Sequence, residues 1–126
     1  MKTLFISSLL VFSNLTFADS NSQKAKEQKT FTLLTDSTKA LVESELVCST
    51  SRECFALALG SRACGGPAKH VVASKNNPHL SLIKLMAKKT TELQSEFNHK
   101  YGVVSICMLA PVPQVDCIDH ICQEVE

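Results

Sequence analysis

The chain has 126 residues, with 13 basic and 12 acidic side chains, one tyrosine and no tryptophan. This length suits one domain with a modest core. The balanced charge argues against nucleic acid, which needs a basic surface to displace counterions, and against an anionic membrane surface.

The first 18 residues, 1–18, have the pattern of a secretory signal peptide. Lys2 gives a basic start, an uncharged apolar run extends from Leu4 to Leu15, and Thr16-Phe17-Ala18 has the small residues of a cleavage site. The run is shorter than a membrane span, so we expect cleavage after Ala18, and a retained anchor is the alternative. We therefore expect a periplasmic or extracellular protein with no stable membrane anchor.

All six cysteines follow this segment. An even number of cysteines in a short exported chain predicts a disulfide framework, with free buried thiols as the alternative. The cysteines are Cys48, Cys54, Cys64, Cys107, Cys117 and Cys122.

The mature chain is predicted to begin with a polar lead-in. Residues 19–29 contain no large apolar side chain, so we expect them to be flexible, followed by a single domain over 30–126. The next stretch is ambiguous, because Phe31 fits a strand start whereas the residues after Asp36 or Ser37 fit a capped helix. The helix is favoured.

Two short strands and a tight turn are predicted next. The run "CFALALGS" has the length of a buried strand, although its composition also suits a helix, and 70–74 is a second strand. Between them, Gly65 and Gly66 permit positive φ and Pro67 fixes the exit of the chain, which predicts a sharp turn. A phosphate-binding loop is the alternative, but its motif is incomplete here.

The clearest predicted element is an amphipathic helix over 78–101. Asn77 is the expected cap, Pro78 suits the first turn, and Gly102 suits the end. Its expected apolar stripe contains Leu82, Leu85, Met86, Leu93, Phe97 and Tyr101.

The C-terminal part is predicted to contain a strand and a hairpin. Residues 103–109, "VVSICML", are typical of a strand, and the prolines after them favour an extended linker. The segment around Asp119-His120 is predicted to be a hairpin that places Cys117 opposite Cys122.

Fifteen pairings of six cysteines are possible. The hairpin register suggests Cys117–Cys122, and the first interpretation adds Cys48–Cys54 and Cys64–Cys107. The main alternative joins Cys48 or Cys54 to the C-terminal pair.

No catalytic, metal-binding or cofactor-binding signature is present. A cluster of His70, Asp119 and His120 is conceivable, but no spacing supports a zinc site. We therefore expect no cofactor and favour a role without catalysis.

A proline-stiffened loop is the best interaction candidate. Pro111, Val112, Pro113 and Gln114 form a rigid extended segment beside a cysteine, which loses little entropy on binding. An ordinary connector is the alternative.

The cysteine pattern resembles that of small exported bacterial proteins that carry a CGGP motif. The resemblance covers residues 46–123 and implies an exported, disulfide-bonded domain without an established activity. The matching residues are Cys48, Cys54, Cys64, Gly65, Gly66, Pro67, Gly102, Ser105, Cys107, Cys117 and Cys122.

These observations predict an α+β domain with one long helix on a small antiparallel sheet, held by disulfides. The expected function is a non-catalytic binding module, an inhibitor or interaction partner of another exported protein. The alternative is a small redox protein or enzyme with a labile cysteine pair.

Overall fold

The computed structural model describes residues 17–108 and 111–126, which form an α+β fold. The predicted fold class is confirmed, although these residues form two helices and two separate two-stranded sheets. A short 3-10 turn, Ser51–Glu53, precedes the first strand. The helices and strands are α1 Phe17–Glu43, β1 Cys54–Leu59, β2 Lys69–Ser74, α2 Leu80–Lys100, β3 Gln114–Ile118 and β4 Ile121–Val125.

The first sheet separates two cores. Because side chains alternate along β1 and β2, one face of this antiparallel pair packs on the helices and the other packs on the β3–β4 hairpin. The helix-side core contains Val42, Leu59, Val71, Ala73, Ile83 and Ala87. The hairpin-side core is built around sulfur and contains Cys48, Cys54 and Cys122, with Leu46, Val72, Val115 and Cys117 packed against it.

The terminal hairpin has the predicted register. Cys117 lies opposite Cys122 and Ile118 lies opposite Ile121. Asp119 and His120 have φ of 52° and 63°. Positive φ at both turn residues is what a two-residue type I′ turn requires, and it matches the twist of the flanking strands.

Helix α1 is longer than the sequence suggested. Residues 19–29 are helical, so the expected flexible lead-in is corrected, and Asp36 and Ser37 lie inside the helix rather than at its cap. The segment contains good helix formers and extends a helix already fixed by the packing of Thr38 and Val42. The small apolar content of residues 19–29 does not by itself predict this extension. Of the predicted signal peptide, residues 1–16 lie outside the described residues.

The two helices lie antiparallel. Near one end Lys100 Nζ is 2.6 Å from Glu27 Oε1, and near the other the Asn77 side chain donates to the Leu41 carbonyl at 3.0 Å. The rings of Phe31 and Phe97 meet edge to face between these ends, with centroids 5.1 Å apart.

Helix α2 differs from the prediction in its start and in part of its buried face. It begins at Leu80, with His79 at the cap position, and Asn77 lies before it. Leu82 and Leu85, two members of the expected stripe, are exposed. The buried face instead contains Ile83, Ala87 and Thr90, together with Phe97 of the expected stripe. This set repeats at helical spacing, and Ile83 and Ala87 belong to the core that also contains Leu59, Val71 and Ala73 of the first sheet.

Two of the three disulfides differ from the first interpretation. Cys64–Cys107 is formed as predicted, whereas the other bridges are Cys48–Cys117 and Cys54–Cys122, not Cys48–Cys54 and Cys117–Cys122. Cys117 and Cys122 lie opposite each other and point to the same face of the hairpin. Each therefore bonds a cysteine of the segment that covers this face, 46–54, and not the other. That segment is held there by main-chain bonds from Cys48 N to His120 O and from Cys122 N to Leu46 O.

Candidate functional site

The most distinctive surface is an irregular segment after α2, which we call the strap and define as residues 103–108 and 111–113. A strand was predicted over 103–109, but the described residues of this range form no strand. Within 104–108, no main-chain N–H or C=O pairs with another main-chain group of the described residues. The predicted strand is wrong: its side chains alternate as in a strand, but none of the described strands pairs with it.

Alternate side chains of the strap point into solvent. Val104, Ile106 and Met108 are 92%, 78% and 70% exposed. The two residues between them are tied to the CGGP turn: Cys107, although exposed, is bonded to Cys64, and half-buried Ser105 has its carbonyl oxygen 3.2 Å from Cys64 Sγ. The strap therefore has one anchored side and one side of exposed aliphatic groups. This alternation has the two-residue period of an extended chain.

The strap is tied down at few points. Its first residue, Val103, donates its N–H to the Asn98 carbonyl at 2.9 Å, which continues from the end of α2. The Arg62 guanidinium donates to the Met108 carbonyl. Together with the Cys64–Cys107 bridge, these contacts fix the strap while leaving its outer face open.

The CGGP turn carries the other half of that bridge. Gly65 and Gly66 have φ of 98° and 78°, the conformation for which the glycine pair was predicted. Two main-chain bonds close the turn, from Gly65 N to Arg62 O and from Arg62 N to Gly66 O, both 3.0 Å. No described atom lies within 4 Å of a Cβ built on Gly65, so this glycine is required by backbone conformation rather than by crowding.

The predicted binding loop overlaps the end of the strap, because Pro111, Val112 and Pro113 belong to both. Pro111 and Val112 are exposed, Pro113 is half-buried, and Gln114 is the exposed first residue of β3. Val112 is 69% exposed and extends the apolar surface of the strap. The sequence pattern predicted the candidate site in this loop but not the aliphatic surface at 104–108, because residues 103–109 were predicted to form a strand.

A polar cavity of 420 Å³ lies at the base of the strap, between the CGGP turn and the end of α2. Its walls include Arg62, Gly65, Asn98, His99 and Val103. The Asn98 side chain is already engaged, since it donates to the Ser61 carbonyl at 2.9 Å. The cavity therefore places polar and cationic groups beside the apolar strap.

The structure does not bring the histidines into a metal site. Among the described residues, the one group with metal-ligand geometry is Cys48, Cys54 and Cys122, and all three are in disulfides. A disulfide sulfur is not the thiolate that zinc binds. At the hairpin tip, His120 Nδ1 lies 3.3 Å from the Cys48 carbonyl oxygen. This contact helps to hold the loop that begins at Cys48 over the hairpin.

Two carboxylates support that loop rather than forming a catalytic pair. Glu53 accepts the main-chain N–H groups of Ser49 and Thr50, and these bonds lower the pKa of its carboxyl group. Asp116 accepts the Ser51 hydroxyl, which lowers the pKa of that carboxyl group in the same way. In their ionised form, Glu53 closes the segment after Cys48 on itself, and Asp116 of β3 holds that segment against the hairpin.

Comparison with known protein families, with curated proteins and with solved structures found no match to this chain. The three disulfides indicate an oxidising compartment outside the cytoplasm. Neither helix of the described residues is long and apolar enough to span a bilayer. The class of protein defined by the structure is thus a small α+β domain with three disulfides and a displayed apolar strap.

Proposed function

We propose that the protein is an exported, non-catalytic binding module that contacts another exported protein through the strap. The mature form begins after Ala18, once the signal peptide is removed, and works in the periplasm or outside the cell. The basic start and uncharged apolar run of residues 1–18 support this export route. An inhibitor of an envelope or secreted enzyme is the form of this role that best suits a rigid displayed segment.

One observation carries the proposal. Val104, Ile106 and Met108 expose aliphatic side chains on one side of a segment whose main-chain groups have no main-chain partners among the described residues. Water can satisfy those polar groups, but it offers nothing to the three aliphatic side chains. A partner strand beside the strap would satisfy both requirements.

Strand addition is therefore the binding mode that we propose. In this mode, main-chain hydrogen bonds supply affinity, and pockets for alternate side chains supply specificity. The partner would offer an extended segment or an open sheet edge, with apolar pockets spaced for the residues at 104, 106 and 108. The strap is uncharged over 103–108, which fits an apolar contact rather than a charged one.

The anchoring of the strap favours binding. The Cys64–Cys107 bridge holds one side, and Pro111 and Pro113 restrict the chain that leads into β3. A segment that is already ordered loses less conformational entropy when a partner binds. Replacing both prolines by alanine should accordingly weaken binding although Val104, Ile106 and Met108 are unchanged.

The test uses matched substitutions on two exposed surfaces. Ile106→Ser with Met108→Ser changes the strap, and Leu82→Ser with Leu85→Ser changes two exposed leucines on α2. A photoreactive residue at position 106, compared with one at position 85, first captures the partner in cells. Purified partner is then titrated with the wild type and with each variant.

We expect capture from position 106 and not from position 85. The strap variant should bind at least about tenfold more weakly, and the α2 variant should bind like the wild type. Circular dichroism and the absence of titratable thiols check that each variant is folded and oxidised. Equal capture from both positions, or an unchanged affinity of the strap variant, would contradict the proposal.

A redox function is the second candidate, and it would use the disulfide whose cysteines are both exposed. Cys64 and Cys107 are both exposed, whereas Cys48, Cys54 and Cys122 are buried. A small redox protein made from this chain would therefore use Cys64–Cys107.

A further inference from the structure

We propose that Cys64–Cys107 is a site of thiol–disulfide exchange, at which a small thiol or dithiol attacks Cys107 Sγ and displaces Cys64. The reaction partner of this bond is a thiol reductant in the compartment to which the protein is exported. The exchange does not require that the strap binds a protein, so it stands or fails separately from the proposed function.

Access distinguishes this bond from the other two. Thiol–disulfide exchange needs the attacking thiolate to reach a sulfur along the S–S axis, so exposure controls its rate. Cys64 and Cys107 are exposed, while Cys48 and Cys122 are 1% and 2% exposed. Each of the two remaining bridges thus contains at least one cysteine closed to solvent.

Ser105 sets the direction of attack. Its hydroxyl oxygen lies 3.6 Å from Cys64 Sγ and is the polar group that can donate a hydrogen bond to this sulfur as it leaves with negative charge. Once protonated, the Cys64 thiol can donate to the Ser105 carbonyl, which lies 3.2 Å away. The same carbonyl is 3.9 Å from Cys107 Sγ, so the released group is better held at Cys64.

The reaction balances in two steps. An attacking thiolate forms a new S–S bond to Cys107 while the Cys64–Cys107 bond breaks, and Cys64 leaves as a thiolate that takes a proton from water. A second reductant thiolate then attacks the reductant's sulfur in this mixed disulfide and releases Cys107 as a thiolate. In total two electrons pass to the protein, and the reductant is oxidised to its disulfide.

Reduction would release the strap and spare the cores. The strap would lose its covalent anchor and keep the contacts at Val103 and Met108, whereas Cys48–Cys117 and Cys54–Cys122 would still join the hairpin to the rest of the protein. The exposed bond thereby links the display of the apolar side chains to the redox state of the compartment.

The experiment treats the oxidised full mature chain with reduced glutathione at neutral pH. Samples are quenched with acid at intervals, the free thiols are alkylated, and each peptide is mapped by mass spectrometry. We expect Cys64 and Cys107 to react at least about tenfold faster than the other four cysteines, because access limits the exchange rate. The early mixed disulfide should carry glutathione on Cys107 and an alkylated thiol on Cys64.

Two variants test the direction of attack. Ser105→Ala should slow the formation of the Cys107 adduct by about threefold or more, because the leaving sulfur loses its donor. Ser49→Ala, a serine next to Cys48, should leave that rate unchanged. Similar rates at all three bonds, an adduct mainly on Cys64, or equal effects of the two substitutions would overturn the proposal.

Discussion

Asn77 joins the ends of the two helices through its side chain. The amide donates to the carbonyls of Leu41 and Val42 at 3.0 and 3.4 Å, and the amide oxygen accepts the His79 N–H at 2.9 Å. The side chain is buried, and the carbonyls that it binds are among the last of α1, which have no partner within the helix. One residue thus satisfies polar groups at the end of α1 and the start of α2.

We expect Asn77→Ala to lower the free energy of unfolding by about 2 kcal/mol, because the Val42 carbonyl and the His79 N–H lose their side-chain partner. The Leu41 carbonyl keeps the Ser44 hydroxyl at 2.7 Å. Asn76→Ala is the matched control, since Asn76 is exposed and its side chain makes a longer 3.3 Å bond to Val47 O. Its cost should be about 0.5 kcal/mol. Urea denaturation measures both values, and equal losses would contradict this role for Asn77.

Sequence patterns identified several residues correctly but not their partners. Asn77 was predicted as the cap of α2, but His79 has that position, and Asn77 instead links the start of α2 to the end of α1. No local pattern encodes that contact. Gly65 and Gly66 were predictable because the constraint on φ is local. The strap residues were not, because Val104 and Ile106 have the same β-branched pattern whether or not a neighbouring strand covers them.

At the scale of elements, the early part of α1 is held to α2 by Glu27 and Lys100. Their ion pair lowers the pKa of the Glu27 carboxyl group and raises that of the Lys100 ammonium group. Lys24 Nζ adds a contact 5.5 Å from the centre of the Tyr101 ring. These contacts explain how a polar segment remains helical against its neighbour.

The pair predicts a defined pH window for order in residues 19–30. The lowered Glu27 pKa gives stability that is present above 4.5, its ordinary value, and is lost as the pH falls through the lowered value. The raised Lys100 pKa gives stability that is present below 10.5 and is lost as the pH rises through the raised value. Between these limits, Glu27→Gln should speed amide hydrogen exchange in this segment.

The control for this prediction is Glu92→Gln, which removes longer contacts to Lys88 and Lys89 within α2. It should leave exchange in residues 19–30 unchanged at every pH. The effect of Glu27→Gln should also shrink in high salt, because both side chains are partly exposed. Identical pH profiles for the two variants would show that the ion pair does not order this segment.

The elements themselves were predictable to different degrees. The strands β1 and β2 and the hairpin register follow from apolar runs and turn residues, which are local. The buried face of α2 was only partly predicted, because the exposed Leu82 and Leu85 are more apolar than the buried Ala87 and Thr90. The space beside β1 and β2 determines which residues of α2 are buried, and that space depends on the tertiary arrangement.

At the scale of the whole molecule, two bridges join the same two parts of the chain. Cys48–Cys117 and Cys54–Cys122 span sequence separations of 69 and 68, and they lie side by side over the hairpin. Either one closes the long loop, so the second then closes only the short ring between them. Cys64–Cys107 is separate and ties only the strap to the CGGP turn.

The loop-entropy estimate gives unequal costs for removing these bridges. Losing either long-range bridge costs about 3 kcal/mol, because the other keeps the long loop closed, and losing both costs about 7 kcal/mol. The larger value is comparable with the entire stability of a small domain. The two adjacent bridges therefore supply stability that the two small cores do not provide.

The most direct test of this account is urea unfolding of two variants, one with alanine at Cys48, Cys54, Cys117 and Cys122 and the other with serine at Cys64 and Cys107. We predict no cooperative transition for the first variant. The second should unfold cooperatively, and amide hydrogen exchange should increase mainly in the strap. A cooperative transition of similar midpoint in both variants would contradict the claim that the paired bridges hold the fold while the third only anchors the strap.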